Sequence, residues 1–152
     1  MEPRMKITTL APDLYKAMLG VEKALHDTGL PKSTFNLVKL RVSQINGCGL
    51  CVDMHAHEMR QDGESDERMW SVAAWREAPY FTDEERAALA LAEAATRIAD
   101  NPAGVPDGIW DEAADHYDEK TLAALIMAIA QINAWNRINV TIRSQAGSYR
   151  LS

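Results

Sequence analysis

The chain has 152 residues, 47% of them hydrophobic and 25% charged, which fits one compact domain over residues 1–152 and excludes a disordered or low-complexity protein. No apolar run approaches the ~20 residues a membrane span requires, and Met1-Glu2-Pro3-Arg4-Met5-Lys6 has neither the apolar stretch nor the cleavage site of a signal peptide, so a cytoplasmic location is expected. A formal charge of -6, with the 16 Lys and Arg residues scattered, leaves no basic surface for phosphates, and neither nucleic acid nor membrane is an expected partner.

Apolar residues recur at three- and four-residue steps throughout, and β-branched alternation is absent, so the spacing predicts an all-α fold of six or seven helices. A first helix runs from Pro12 through the stripe Leu14, Met18, Val21 and Leu25 to a stop at Thr28-Gly29. A second starts near Ser33, carries Phe35, Val38, Val42 and Ile45, and ends at Asn46-Gly47, the pair that best tolerates a left-handed, helix-ending conformation. The third covers Cys48 to about Arg60, and the fourth runs from Ser65 through Met69, Val72 and Trp75. After the linker Glu77 to Phe81, Thr82 and Glu85 form a capping-box pattern that opens an Ala-rich helix reaching about Ala99. A loop with two prolines and a glycine precedes a short helix over Ile109 to Tyr117. The last helix spans Glu119 to Ile142, with Leu122, Leu125, Ile126, Ile129 and Ile132 expected inward. Met18, Met54, Met59, Met69 and Met127 are read as core fillers, and His26 and His116 as surface residues without partners.

Both cysteines of the chain lie in Cys48-Gly49-Leu50-Cys51, where one helix has ended and the next begins. A helix N-terminus presents unpaired N–H groups and about half a positive charge, which favours thiolate over thiol. Residues three apart in a helix have Cα atoms about 5 Å apart, within reach of a disulfide. His55 follows Cys51 by four residues and Cys48 by seven, so the three share one face, and an imidazole there can take a thiol proton. Two blander readings compete: a pair of structural buried cysteines, or a zinc site, for which His57 is a poor fourth ligand because it points about 200° around the helix from His55.

The stretch Leu37-Val38-Lys39-Leu40-Arg41-Val42-Ser43-Gln44-Ile45-Asn46-Gly47-Cys48-Gly49-Leu50-Cys51-Val52-Asp53-Met54-His55 resembles the core of the alkyl hydroperoxidase D and carboxymuconolactone decarboxylase superfamily, in its redox branch. Glu85 to Ala90 and Ile132 to Arg137 are similar to that group as well. The resemblance implies an all-helical protein that forms trimers or hexamers and reduces hydroperoxides through its cysteine pair, with no other cofactor and no metal. A dithiol or lipoyl-type reductant would regenerate the pair. By the same resemblance Cys51 attacks the peroxide and Cys48 resolves the sulfenic acid, whereas the helix-dipole argument alone favours Cys48 as the more acidic thiol; the order stays open at this point.

The chain departs from the family pattern at two positions. Asn36 stands twelve residues before the first cysteine, where the pattern has a glutamate that orients and charges the histidine, and Leu50 stands where the family's peroxidase has a histidine. An amide cannot accept a proton or offset an imidazolium. Weak peroxidase turnover is therefore expected, and Asn36→Glu is expected to raise it. Glu58, three residues past His55 on the same face, is a candidate substitute carboxylate, set against the ordinary reading of a solvated surface glutamate. The competing functions are a decarboxylase acting on a small lactone acid, which has no use for CxxC, and a non-catalytic binding or assembly protein that keeps the motif as a relic.

Overall fold

A computed structural model describes residues 2–150; Met1, Leu151 and Ser152, at the ends of the expected domain, lie outside the described residues. The described residues form helices and turns and no strand, in the order α1 (Ile7–Leu10), α2 (Pro12–His26), α3 (Lys32–Ile45), α4 (Gly49–Gln61), α5 (Asp66–Ser71), α6 (Asp83–Thr96), α7 (Asp107–His116) and α8 (Glu119–Ile142). Seven of the eight match predicted segments. The addition, α1, is a single turn with no buried residue, and so has no apolar stripe to announce it.

The centre of the molecule is α3, which packs against α4, α6 and α8. Every residue from Thr34 to Ser43 except Arg41 is buried, as expected of a helix with neighbours on all sides. Phe35, Val38 and Val42 join a core shared with Leu91, Leu125 and Ile129, while Leu37 and Leu40 join a second one with Met59, Val72, Trp75 and Leu89. Polar residues in this interior are paired. Glu93 receives Arg41 Nη2 at 2.6 Å, Arg76 Nη1 at 2.5 Å and Trp75 Nε1 at 3.1 Å. Asn46 Nδ2 donates to the side-chain oxygens of Asn133 and Asn136, both at 3.0 Å, and Asn136 Nδ2 donates to Ser43 Oγ at 3.0 Å, tying the end of α3 to α8.

Three apolar expectations are corrected. Leu14 is 73% exposed, because α2 lies on the outside of the bundle against α8 and α1 and only its C-terminal half reaches the core. Ile126 is 40% exposed and Met127 52%, since α8 is apolar around more of its circumference than its neighbours cover. His26 and His116 also have partners: each lies four residues after a glutamate, Glu22 at 4.0 Å and Glu112 at 3.3 Å.

Candidate active site

The turn between α3 and α4 fixes the cysteines. Gly47 takes φ +67°, a left-handed value that glycine adopts without a Cβ penalty. This lets Gly47 N–H return to Gln44 O at 3.3 Å and Cys48 N–H to Ser43 O at 3.0 Å, the paired bonds that close a helix with a left-handed residue. Cys48 then serves as the N-cap of α4, its Sγ accepting the Cys51 N–H at 3.3 Å. The two cysteines form a disulfide, with Cα atoms 5.3 Å apart. Cys51 lines a cleft of about 480 Å³ that Cys48 does not reach.

His55, one turn further along α4, is 3% exposed and lines the same cleft. Its Nδ1 lies 2.8 Å from Glu58 Oε2, so the Nδ1–H donates to the carboxylate and the lone pair rests on Nε2. Nε2 is buried and makes no hydrogen bond, the one side-chain nitrogen or oxygen of that kind among the described residues. Buried polar atoms are paired as a rule, and an exception marks a site with work to do. Burial pushes the imidazole below the usual histidine value, the Lys39 charge adds to that, and Glu58 opposes it. The result at neutral pH is an uncharged ring with an open acceptor.

Glu58 is held in turn. Burial works to raise its pKa, but the His55 hydrogen bond and the Lys39 ammonium outweigh it and keep the carboxyl below the usual glutamate value. Lys39 is 4% exposed, with Nζ 3.0 Å from Glu22 Oε1, 3.8 Å from Glu58 Oε2 and 4.4 Å above the Phe35 ring. The order Glu22, Lys39, Glu58, His55 thus alternates in charge and ends at the imidazole. Asn36 also lines the cleft, but its Nδ2 donates to Asp62 Oδ2 at 2.9 Å, and Asp62 in turn pairs with Lys32 at 2.5 Å. The cleft is also lined by Tyr15, Leu19, Ile132 and Trp135, with Tyr15 and Trp135 packed edge to face at 5.3 Å.

The model of the carboxymuconolactone decarboxylase family matches residues 12–94, more than half of the chain and the whole of this constellation from Glu22 to Asp62. The chain belongs to the carboxymuconolactone decarboxylase family. It is 38% identical over 148 residues to YdfG of Bacillus subtilis (strain 168), itself uncharacterized, with 97% of this chain and 99% of that one covered. An alkyl hydroperoxide reductase AhpD of Maricaulis maris (strain MCS10) is 51% identical over 39 residues, covering 26% of this chain and 22% of that protein. Among solved structures, a protein of unknown function from Agrobacterium tumefaciens, described as a candidate antioxidant defence protein AhpD, superposes with a TM-score of 0.91 at 37% identity over 95% of this chain and 98% of its own. The fold is accordingly the AhpD-like fold of the superfamily.

Within that family frame, the cleft brings together four of the five residues singled out from sequence, Cys51, His55, Glu58 and Asn36, with Cys48 directly behind Cys51. It separates Asn36 from the imidazole, because Asp62 occupies the amide and Glu58 occupies Nδ1. Sequence reasoning missed Glu22 and Asn139 and could not place Lys39. Lys39 and Glu22 carry no spacing that ties them to His55, and Asn139 stands 88 residues from Cys51, to whose Sγ its Nδ2 donates at 3.7 Å. With both sulfurs in the disulfide neither is available to a metal in this state, and no group of three or more His, Cys, Asp or Glu suited to a metal occurs among the described residues.

Proposed function

We propose that the protein is a thiol-dependent peroxidase, with Cys51 as the attacking sulfur, Cys48 as the resolving one and His55 as the base. One observation carries the reading: Cys51 of a disulfide-forming CxxC shares a cleft with a buried, neutral histidine whose Nε2 is unpaired and whose Nδ1 is anchored on a carboxylate. In the reduced protein His55 Nε2 takes the Cys51 proton. The Cys51 thiolate attacks one peroxide oxygen, the O–O bond breaks, and the leaving alkoxide takes the proton from His55 and departs as an alcohol. Cys51 is left as a sulfenic acid. The Cys48 thiol attacks its sulfur, water leaves, and the disulfide forms. One hydroperoxide has been reduced by the two electrons of the cysteine pair, and an external dithiol of lipoyl type restores the pair by becoming a disulfide itself. Glu58 takes the place of the pattern's glutamate, and no further cofactor or metal is needed. A reducing compartment such as the cytoplasm suits this cycle, and assembly into a trimer or hexamer is part of the proposal.

Access supports Cys51 as the attacking sulfur, because Cys51 lines the cleft and Cys48 does not. The decarboxylase alternative is less well served: three carboxylates, Glu22, Glu58 and Asp62, face two ammonium groups, Lys32 and Lys39, which is a poor seat for a lactone acid. A relic would have no use for an unpaired buried imidazole nitrogen, whose desolvation costs stability. The test is hydroperoxide consumption with a dithiol in excess. Turnover is expected for the natural chain, with complete loss in Cys51→Ser and slower turnover in Cys48→Ser, where the external dithiol alone must reduce the Cys51 sulfenic acid. Equal consumption by all three proteins, or carbon dioxide release from a lactone acid in place of peroxide reduction, sinks the reading.

A further inference from the structure

The last turn of α8 brings an amide to the attacking sulfur. Asn139 Nδ2 lies 3.7 Å from Cys51 Sγ, on the cleft wall contributed by α8 and across from α4. A disulfide sulfur carries no hydrogen, so it can only accept, and the amide must present its NH2 to it. The other end of the amide is fixed to match. Ser144 Oγ donates to Asn139 Oδ1 at 2.8 Å, and the Ser144 backbone N–H donates to Asn139 O at 2.9 Å. Ser144 can fold back in this way because Arg143 adopts φ +58°, a left-handed value that is unfavourable for a residue with a Cβ. Helix α8 thus ends in a strained residue whose consequence is that both donors of Ser144 converge on Asn139.

We propose that Asn139 is a further catalytic residue, donating its Nδ2–H to the Cys51 sulfur and stabilising it as the thiolate, with Ser144 as the positioning residue that keeps the amide turned toward it. The proposal rests on the reading of Cys51 as the attacking sulfur. A donor aimed at an ionised sulfur favours the charged form and so lowers the thiol pKa. The Cys51 backbone N–H is spent on Cys48 Sγ, and the Asn139 amide is a side-chain donor to Cys51. The two supports differ in origin: the N–H on Cys48 comes from the helix N-terminus, whereas the donor on Cys51 comes from a helix 88 residues away. This arrangement answers the argument from the helix dipole that favours Cys48 as the more acidic thiol.

The test uses the reduced full-length chain carrying Cys48→Ser, which leaves Cys51 as the sole thiol and keeps a side chain able to cap α4. The pH dependence of its alkylation by iodoacetamide reports the Cys51 pKa without any peroxide. Asn139→Asp in that background replaces a donor with a like charge and is expected to raise the midpoint by about one pH unit or more. Ser144→Ala, which only releases the amide, is expected to raise it by a smaller amount, and serves as the deciding variant should Asn139→Asp fail to fold. Midpoints equal to the parent's in the folded variants overturn the proposal. A raised midpoint together with no peroxide turnover by the natural chain retires the peroxidase reading while leaving the Asn139 contact in place.

Discussion

His55 is neutral where an exposed histidine would be partly charged, because burial lowers its pKa from 6.5 and the Lys39 ammonium adds to the effect, against the Glu58 hydrogen bond. As pH falls, the ring protonates only on passing its depressed folded value, and the base is lost there. The acid limb of the kcat/KM profile is therefore expected below pH 6.5, and a limb centred at or above that value would contradict a buried neutral base. The same shift makes stability pH-dependent: between the folded value and 6.5 the unfolded chain holds the extra proton, so the protein loses stability as pH drops through that window. Glu58→Gln keeps the shape but removes the charge that offsets an imidazolium, and turnover is expected to fall by on the order of 10²; unchanged turnover would remove Glu58 from the mechanism. At Asn36 the hydrogen bonds argue against the expectation drawn from the family pattern. A glutamate there would bring a second carboxylate beside Asp62, whose Oδ2 now accepts from the Asn36 amide at 2.9 Å, while Nδ1 is already taken by Glu58. Asn36→Glu is thus expected to give turnover no higher than the natural chain in a peroxide-consumption assay, and a clear rise would restore the original expectation. Cys48, Cys51, His55 and Glu58 were legible because they occupy consecutive turns of one helix, where spacing alone fixes the shared face. Asn139, Lys39 and Glu22 reach the cleft from α8, α3 and α2, and no local spacing encodes such a meeting.

Helices were readable from their ends as much as from their stripes. Thr82 and Glu85 make both bonds of the capping box, Thr82 N–H to Glu85 Oε2 at 3.0 Å and Glu85 N–H to Thr82 Oγ1 at 3.3 Å. Thr82→Ala is expected to cost about 1 kcal/mol, seen as a drop of roughly 2–4 °C in Tm for a chain of this length; an unchanged Tm would mean that α6 is held by its packing alone. The start of α4 was equally legible, since Asn46-Gly47 could only end α3 and so placed Cys48 at the next N-terminus. The faces were less so. Apolar residues at helical spacing mark a stripe, but which part of it a neighbour covers depends on the assembled bundle, and that is where Leu14, Ile126 and Met127 escaped.

The whole molecule keeps apolar surface in reserve. Trp110 is 44% exposed beside Ile126, Val105 and Ile98, in a groove between α7, α8 and the end of α6. The proposed assembly into a trimer or hexamer predicts a solution mass that is a threefold or sixfold multiple of the 16.9 kDa chain by light scattering, and a monomeric mass would discard it. Catalysis as proposed needs only one chain, since the cysteines, the base and its carboxylate all come from α4 and its N-cap, with α2, α3 and α8 lining the rest of the cleft. The most direct measurement is a thiol count on the reduced protein before and after one equivalent of an organic hydroperoxide, with the intact mass recorded alongside. The account predicts that two thiols disappear for each peroxide reduced and that the chain loses the mass of two hydrogens. Two thiols still titratable after the peroxide has been offered would contradict it.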